Sequence, residues 1–236
     1  MVYTQQHKML LQAFVQEGIF DENKLKDTVI KLFNNDKVSV IINEINEQLQ
    51  PINMVIIKQQ CEIMGQIYWI LISTVLDEVT RLQDEFSKAQ LALLRNVFSE
   101  IITSSNGCVQ STTCLNLCSL PDVKLSKADA ANFLDDVVNR KWLTYKAGYY
   151  FMGVRSITEL MPYFRATYKD NLNTCCLCKE VIFYGEKCNR CENLLHLYCL
   201  RRCGMVQDSV KCPNCDTGFS NINLSDTCDD TAMSTN

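Results

Sequence analysis

The stretch from Thr174 to Phe219 decides the fold of the last third of the chain, and it reads TCCLCKEVIFYGEKCNRCENLLHLYCLRRCGMVQDSVKCPNCDTGF. It holds eight candidate metal ligands in four pairs, and each pair has two residues between its members. The pairs are Cys175/Cys178, Cys188/Cys191, His196/Cys199 and Cys212/Cys215. A gap of two residues lets the chain turn tightly, so both side chains of a pair can reach one tetrahedral ion. Eight ligands are the number that two closed zinc sites require.

The order of the ligands is four cysteines, one histidine and three cysteines, and two kinds of zinc module share it. These are the RING-like cross-brace and the PHD finger, and in both the first and third pairs hold one ion while the second and fourth hold the other. The predicted first site is therefore Cys175, Cys178, His196 and Cys199. The predicted second site is Cys188, Cys191, Cys212 and Cys215. The segment has few apolar residues, so zinc would supply most of its folding free energy, about 10–16 kcal/mol per structural site in zinc-finger peptides.

A disulfide cluster is the competing interpretation of these cysteines. The first ten residues, MVYTQQHKML, contain no apolar stretch of the kind that a secretory signal carries. The most apolar run, residues 67–76, is too short to cross a bilayer, so no membrane span is expected. Cysteines in pairs with metal spacing, together with scattered free thiols, fit a reducing compartment such as the cytosol or nucleus.

Length and composition are those of a globular protein with several domains. The chain has 236 residues, of which 47% are hydrophobic and 21% are charged, and this length suits two or three domains. The formal net charge of −4 argues against a protein whose main role is to coat nucleic-acid phosphates. Residues 220–236 are polar and mildly acidic, and they are predicted to be a disordered tail.

The first 80 residues predict three helices followed by a hairpin. Apolar residues recur at helical spacing in three segments. These segments are residues 4–17, about 21–33, and 38–49. The composition then becomes β-branched and aromatic on both sides of a turn that carries Gly65, which is typical of a hairpin. Three helices and a hairpin are the layout of a winged helix.

The same order recurs in residues 81–170. After a short linking helix over residues 76–85, Ser87 and Gln90 have the form of a capping box at the start of a long helix. A short helix over residues 112–117 and a third helix capped by Ser126 follow. A hairpin turns at Ala147-Gly148, and a closing helix spans residues 156–168. We therefore predict an α+β chain with winged-helix domains at 1–80 and 81–170, a two-zinc cross-brace domain at 171–219, and the tail.

Winged helices often bind DNA, but the third helices here are poor groove readers. The polar positions of the third helix of the second copy mix acidic residues, such as Asp135 and Asp136, with basic ones, such as Arg140 and Lys141. The corresponding helix of the first copy offers asparagine, glutamine and glutamate, including Glu44 and Glu47. Because a groove reader needs a basic face, DNA binding is expected to be weak or indirect, and the spare faces are expected to meet protein partners.

The whole pattern resembles one known family. The tandem winged helices ending in CxLC, CxxC, HxxC and CPxC are similar to the first non-Smc elements of the Smc five/six chromosome complex. Further stretches that carry the resemblance are residues 7–25, 98–117 and 139–143. The resemblance spans about residues 7–219, and the coupling of this zinc pattern to two winged helices makes it specific.

The resemblance implies a nuclear, chromosome-associated subunit that acts in DNA recombination and repair. It implies that the winged helices dock on a MAGE-domain partner and that both join the kleisin subunit. The zinc module is implied to be a RING-type E3 ubiquitin ligase, an enzyme that binds a ubiquitin-charged E2 and that its MAGE partner stimulates. Two zinc ions are the implied cofactors.

The implied E2 contact falls on the two zinc loops. Leu177 lies between the first two ligands and Pro213 between the last two, and Ile182 and Met205 would extend this apolar patch. The sequence departs from active RINGs in having Asp216 where a basic residue commonly follows the last ligand, and in lacking a tryptophan between ligands six and seven. Activity is therefore expected to depend on a partner.

Two other functions stay open on the sequence. A PHD-type chromatin reader would carry a tryptophan two residues before the seventh ligand, where this chain has Val210. A non-catalytic scaffold, in which zinc only holds an interaction surface, is compatible with Asp216 and with the missing tryptophan.

Overall fold

The structure is a computed structural model, and it describes residues 3–75, 85–204 and 211–219. The predicted tail, most of the predicted linking helix, and Met205 and Val210 lie outside the described residues. The chain divides into two compact units. The first unit comprises residues 1–61 and 66–172, and the second comprises residues 62–65 and 173–236. Both predicted winged helices therefore belong to one unit, and four residues of the first hairpin belong to the other.

The first winged helix forms the elements that its apolar pattern predicts. Its helices are α1 (Gln5–Glu17), α2 (Glu22–Phe33) and α3 (Val38–Leu49), and its strands are β1 (Ile19–Asp21), β2 (Met54–Gln60) and β3 (Ile67–Ser73). Leu10, Phe14, Leu25 and Ile45 are fully buried between them. The short strand β1, which the sequence analysis did not predict, pairs antiparallel with β3 and completes a sheet of order β1-β3-β2.

The second winged helix repeats this arrangement. Its elements are α4 (Lys88–Thr103), β4 (Cys108–Gln110), α5 (Ser111–Asn116), α6 (Lys127–Asn139), β5 (Leu143–Lys146) and β6 (Tyr149–Met152). Its sheet has the order β4-β6-β5, the same topology as in the first copy. The predicted capping box is present, because the Ser87 and Gln90 side chains each bond the other's backbone.

The closing helix is broken, although the sequence predicts it as continuous. It forms two short helices, α7 (Val154–Glu159) and α8 (Met161–Thr167), which meet at Leu160. Pro162 lies in the first turn of the second helix. Proline has no N–H to donate to the preceding turn, so it begins a helix better than it continues one.

The first unit buries a charged cluster. Arg155 and Glu159 form an ion pair in which both side chains are almost inaccessible, and the guanidinium also lies 4.3 Å from the centre of the Trp142 ring. Arg155 also reaches Glu85, with 3.7 Å between the charged atoms. A buried charge is tolerated only when it is paired, so these groups depend on one another.

The second unit is built from short strands and one helix. The strands are β7 (Asn173–Thr174), β8 (Val181–Ile182), β9 (Glu186–Lys187) and β10 (Leu194–Leu195), and the helix is α9 (Leu197–Gly204). The pairs β7-β8 and β9-β10 make two antiparallel ribbons. A Cβ atom on Gly185 would lie 2.2 Å from the carbonyl oxygen of Leu195, so only glycine permits this approach of the chain.

A small core accompanies the ligands, although the sequence suggests a segment without one. Ile182, Leu195 and Leu200 are buried together with the ligands Cys175 and Cys199, and Leu177, Tyr198 and Phe219 are among the side chains that pack against them. This core is small, so metal binding remains the expected main source of stability. Within the part of the chain that the structure describes, no helix combines the length and apolarity that crossing a bilayer requires.

Candidate metal centre

Three of the four ligand pairs adopt the same turn. In each turn, the first cysteine's carbonyl oxygen accepts a hydrogen bond from the amide four residues later, namely Lys179, Glu192 or Asp216, at 2.8–2.9 Å. The first cysteine's own amide donates to the carbonyl of the residue five positions later, again at 2.8–2.9 Å. We call these turns the three knuckles, at Cys175–Lys179, Cys188–Glu192 and Cys212–Asp216. This repeated bonding holds the two sulfurs of each knuckle on one side of the turn.

Each knuckle closes on a residue in the left-handed conformation. The φ angles are 65° at Lys179, 58° at Glu192 and 56° at Asp216. Residues other than glycine adopt this region at a cost of roughly 1–2 kcal/mol, and aspartate and asparagine tolerate it best. The three residues therefore share the requirement of a positive φ angle.

The fourth pair is placed by a helix instead of a knuckle. His196 directly precedes α9, Cys199 lies in its first turn, and the Leu200 amide donates to the His196 carbonyl at 3.0 Å. Residues three apart on a helix share one face, so the imidazole and the thiol are presented together. The predicted pairing of His196 with Cys199 is thus explained by helix geometry.

The first predicted set comes together in the structure. The ligand atoms of Cys175, Cys178, His196 and Cys199 all lie within 4.8 Å of one another. The His196 Nδ1 atom is 3.4 Å from the Cys178 Sγ and 3.9 Å from the Cys199 Sγ. Nδ1 is therefore the ring nitrogen that faces the sulfurs.

The second predicted set comes together in the same way. The Sγ atoms of Cys188, Cys191, Cys212 and Cys215 also lie within 4.8 Å of one another. Cys188 and Cys215 are 3.5 Å apart, as are Cys191 and Cys212. Each of these contacts joins two different knuckles, so the second set links distant segments of the unit.

These distances fit a tetrahedral ion. With metal–sulfur bonds of about 2.3 Å, the sulfurs of a regular tetrahedron are about 3.8 Å apart, and a sulfur and an imidazole nitrogen about 3.6 Å. The observed nitrogen–sulfur edges of 3.4 and 3.9 Å bracket the second value, and the two sulfur–sulfur edges of 3.5 Å are slightly shorter than the first. Among the described residues, the two sets are the clusters of histidine, cysteine and carboxylate side chains that could hold a metal ion.

Hydrogen bonds lower the pKa of at least one thiol in each set. A hydrogen bond from the Asn193 amide is the largest influence on Cys191 and helps lower its pKa to about 6. Burial opposes ionisation of Cys175, but amides of Cys178, His196 and Leu177 together lower its pKa to about 7. By contrast, burial raises the pKa of Cys212 to about 12. The pKa of Cys215, in the second set, is also lowered, chiefly by its side-chain hydrogen bond with Thr217. Because thiolates are the metal-binding form, each set has at least one cysteine that is readily available near neutral pH.

The other ring nitrogen of His196 faces a carboxylate from far away in the sequence. The Glu62 Oε1 atom lies 3.1 Å from the His196 Nε2 atom, and both side chains are buried. The same carboxylate accepts hydrogen bonds from the amides of Phe183 and Tyr184 at 3.2 and 2.8 Å. Sequence reasoning missed Glu62, because no spacing signal connects it with residues more than one hundred positions later.

The predicted E2-contact residues differ in their exposure to solvent. Pro213 is exposed, and Leu177 is half-buried with its side chain against the small core. Ile182 is only 2% exposed and belongs to that core, so its prediction as a surface contact is wrong. Ile182 lies in β8, where it is paired with Asn173 of β7.

Comparisons with known proteins identify relatives from one family, and the matches cover most of the chain. The family model for the Nse1 non-SMC component of the SMC5-6 complex matches residues 7–120. The non-structural maintenance of chromosomes element 1 homolog of Xenopus laevis is 30% identical over 221 residues, which cover 90% of this chain and 82% of that protein. The human homolog is 28% identical over 223 residues, covering 91% and 84%.

A solved structure matches at the level of the fold. A chain in the structure of an Nse1-Nse3-Nse4 complex aligns with a TM-score of 0.79 and 29% sequence identity. The alignment covers 94% of this chain and 99% of that one. The similarity therefore includes the winged helices as well as the second unit with its two ligand sets.

Proposed function

Because this chain belongs to the family of the Nse1 non-SMC component of the SMC5-6 complex, we propose that it is the RING-type E3 ubiquitin ligase subunit of such a complex. The family and the mixed α/β fold that the sequence predicts are confirmed by the comparisons. The ligase activity, its partners and its nuclear location form the proposal.

The two metal sites are proposed to hold zinc. Three thiolates with one imidazole, and four thiolates, are ligand sets that suit zinc in tetrahedral geometry. Both sets are complete with protein ligands, which is typical of structural sites and leaves no position for a reacting water. The ions would thus stabilise the fold of the second unit.

The observation that supports a ligase best is the interleaving of the two ligand sets, which a RING shares with a PHD finger, in a chain that belongs to the Nse1 family. Ligands from the first and third pairs share one set, and those from the second and fourth pairs share the other, as in the cross-brace that RING modules use. A RING forms no covalent bond with ubiquitin; it holds a charged E2 so that the thioester adopts a reactive geometry. Leu177 and Pro213, both in knuckles, are the proposed contacts.

An E2 discharge assay tests this proposal. The full chain, alone and with its MAGE-domain partner, is mixed with a ubiquitin-charged E2 and free lysine, and loss of the thioester is followed over time. We expect acceleration mainly in the presence of the partner. If a panel of E2 enzymes is discharged no faster with the complex than without it, the ligase proposal fails.

A non-catalytic scaffold is the second candidate, and two observations favour it. Asp216 closes the third knuckle at the position where active RINGs commonly have a basic residue. Leu177 packs against the core, so only part of its side chain is exposed to a partner. A scaffold would bind its partners with full zinc occupancy while leaving E2 thioesters untouched. A PHD-type chromatin reader gains no support from these residues.

The partners are proposed from the same family membership. We expect the first unit to dock on a MAGE-domain subunit and, with it, on a kleisin subunit, as the composition of the Nse1-Nse3-Nse4 complex suggests. Contact with DNA is expected to be weak or indirect, because Glu44 and Asp136 lie among the polar residues of the two third helices. Co-purification of the three chains tests the assembly.

A further inference from the structure

We propose that Glu62 is a positioning residue of the first metal site, and that it holds His196 with its Nδ1 atom towards the sulfurs. This inference rests on the proposal that the site holds zinc. It concerns the histidine's orientation and tautomer, and it makes a residue from the first third of the chain part of a site whose ligands all lie in the last third.

The carboxylate of Glu62 is bonded as a fixed acceptor. Its side chain is 2% exposed, and three donors surround its two oxygens: the Nε2 atom of His196 and the amide nitrogens of Phe183 and Tyr184. A buried carboxylate is costly unless such donors satisfy it. The three bonds fix both oxygens, so the carboxylate cannot rotate away from the imidazole.

This arrangement selects one form of the histidine. Because Glu62 Oε1 accepts a hydrogen bond at Nε2, that nitrogen carries the proton, and the lone pair is left on Nδ1, 3.4 Å from the Cys178 sulfur. Metal-binding histidines are commonly oriented through the second ring nitrogen in this way. Tyr198 stacks on the imidazole with ring centres 4.5 Å apart and an interplanar angle of 16°, which further restricts ring rotation.

The segment that carries Glu62 is a short, closed turn. Residues 62–65 connect β2 to β3, and the Cys61 amide closes the turn by donating to the Gln66 carbonyl at 2.8 Å. These four residues belong to the second compact unit, although the strands on either side belong to the first. Gly65 adopts φ +70°, and a Cβ atom there would lie 3.3 Å from the Arg201 Nη1 atom. The turn is thus part of the second unit, where it lies beside α9.

The role of Glu62 can be tested with two substitutions in the full chain. Glu62→Ala removes all acceptors. Glu62→Gln keeps one oxygen for His196, but its amide nitrogen is a donor and cannot accept from the Tyr184 amide. Glu186→Gln, a half-buried glutamate of the same unit, is the matched control. All proteins are loaded with zinc and checked for two ions per chain by native mass spectrometry.

The first measurement is zinc competition with a chromophoric chelator. Loss of an outer carboxylate partner typically costs 10–100-fold in metal affinity, so we expect one of the two ions to bind about 10–100-fold more weakly in Glu62→Ala. Glu62→Gln should fall between this variant and the wild type. The other ion, and both ions in Glu186→Gln, should be retained as in the wild type.

The second measurement reports the tautomer directly. The chain has two histidines, His7 and His196, so nitrogen-15 histidine labelling gives two ring systems, which a His7→Gln variant assigns. In the wild type, Nε2 of His196 should carry a proton that exchanges slowly with water. That exchange should accelerate in Glu62→Ala and stay slow in Glu62→Gln.

The outcomes separate this inference from the zinc proposal. If Glu62→Ala keeps wild-type affinity for both ions and a slowly exchanging Nε2 proton, Glu62 does not position His196, and the inference is wrong. If Glu62→Gln releases zinc as readily as Glu62→Ala does, the carboxylate is only a structural anchor for Phe183 and Tyr184. If the wild-type chain holds no zinc, the proposal on which this inference rests has failed first.

Discussion

The guanidinium of Arg155 donates from Nε to the Glu159 carboxylate at 2.5 Å, and the two side chains are only 8% and 3% exposed. Removing Glu159 takes the nearer carboxylate from a buried guanidinium and leaves it Glu85 at 3.7 Å, so Glu159→Ala should lower the free energy of unfolding by up to about 3–5 kcal/mol. Urea unfolding followed by tryptophan fluorescence measures this, since Trp142 contacts Arg155. Glu159→Gln keeps an acceptor and should cost less. An unchanged urea midpoint in Glu159→Ala would contradict the pairing.

His196→Ala should remove one zinc ion and leave the other. The histidine contributes one of four ligands to the first set, whereas the second set consists of four cysteines, so native mass spectrometry should show two ions per wild-type chain and one per variant chain. Cys188→Ser is the converse change at the second set. A metal-free wild-type chain with a folded second unit would rule out both predictions.

Leu177→Ala should slow discharge of a ubiquitin-charged E2 in the partner complex while two zinc ions stay bound. Its side chain is half-buried in the first knuckle and packs against the small core, so truncation reduces the proposed contact surface, and the count of bound zinc ions shows whether the unit stays folded. Ile182→Ala is the contrasting change. Because Ile182 is buried, it should destabilise the unit by roughly 2–5 kcal/mol, measured as zinc-dependent thermal unfolding. Normal discharge in Leu177→Ala would place the E2 surface elsewhere.

Asp216→Arg should raise E2 discharge in the absence of the MAGE-domain partner, because a guanidinium supplies donors to ubiquitin that a carboxylate lacks. The left-handed backbone at this position does not forbid a long side chain, since Lys179 holds the equivalent place in the first knuckle. Asp216→Asn suits the same backbone and removes only the charge, so it serves as the control. Equal rates in both variants would count against a brace at residue 216.

The full chain should bind duplex DNA weakly and without sequence preference. Acidic residues such as Glu44 and Asp136 lie on the helices that would enter a groove, so contacts should be few and lost as salt rises. Fluorescence anisotropy with several duplexes at physiological ionic strength measures this. Tight binding to one sequence would overturn the interpretation of the winged helices as docking domains.

The parts of the fold set by local chemistry could be predicted from the sequence. The ligand spacing indicates which two side chains form each pair, and apolar periodicity with capping residues such as Ser87 and Ser126 locates the helices. These signals operate over a few residues, so they do not depend on contacts with distant parts of the chain.

The features that were missed depend on distant partners. Strands β1 and β4 are three residues long, too short for an alternating pattern, and they exist because β3 and β6 offer a free edge. The sequence places Ile182 in the apolar contact patch, whereas the structure buries it in a small core formed by residues from separate segments. Glu62 carries no local signal, since one glutamate in a hairpin turn is ordinarily a solvated one.

The separation of Glu62 from His196 by 134 positions also sets an order of events during synthesis. A ribosome that adds about 5–20 residues per second completes His196 roughly 7–27 s after Glu62. For most of that interval the first hairpin is already made, whereas the donors to its carboxylate come 121, 122 and 134 positions after Glu62 and are not yet part of the chain. The carboxylate therefore stays solvated during synthesis, and the first metal site can form only after the C-terminal segment has been made.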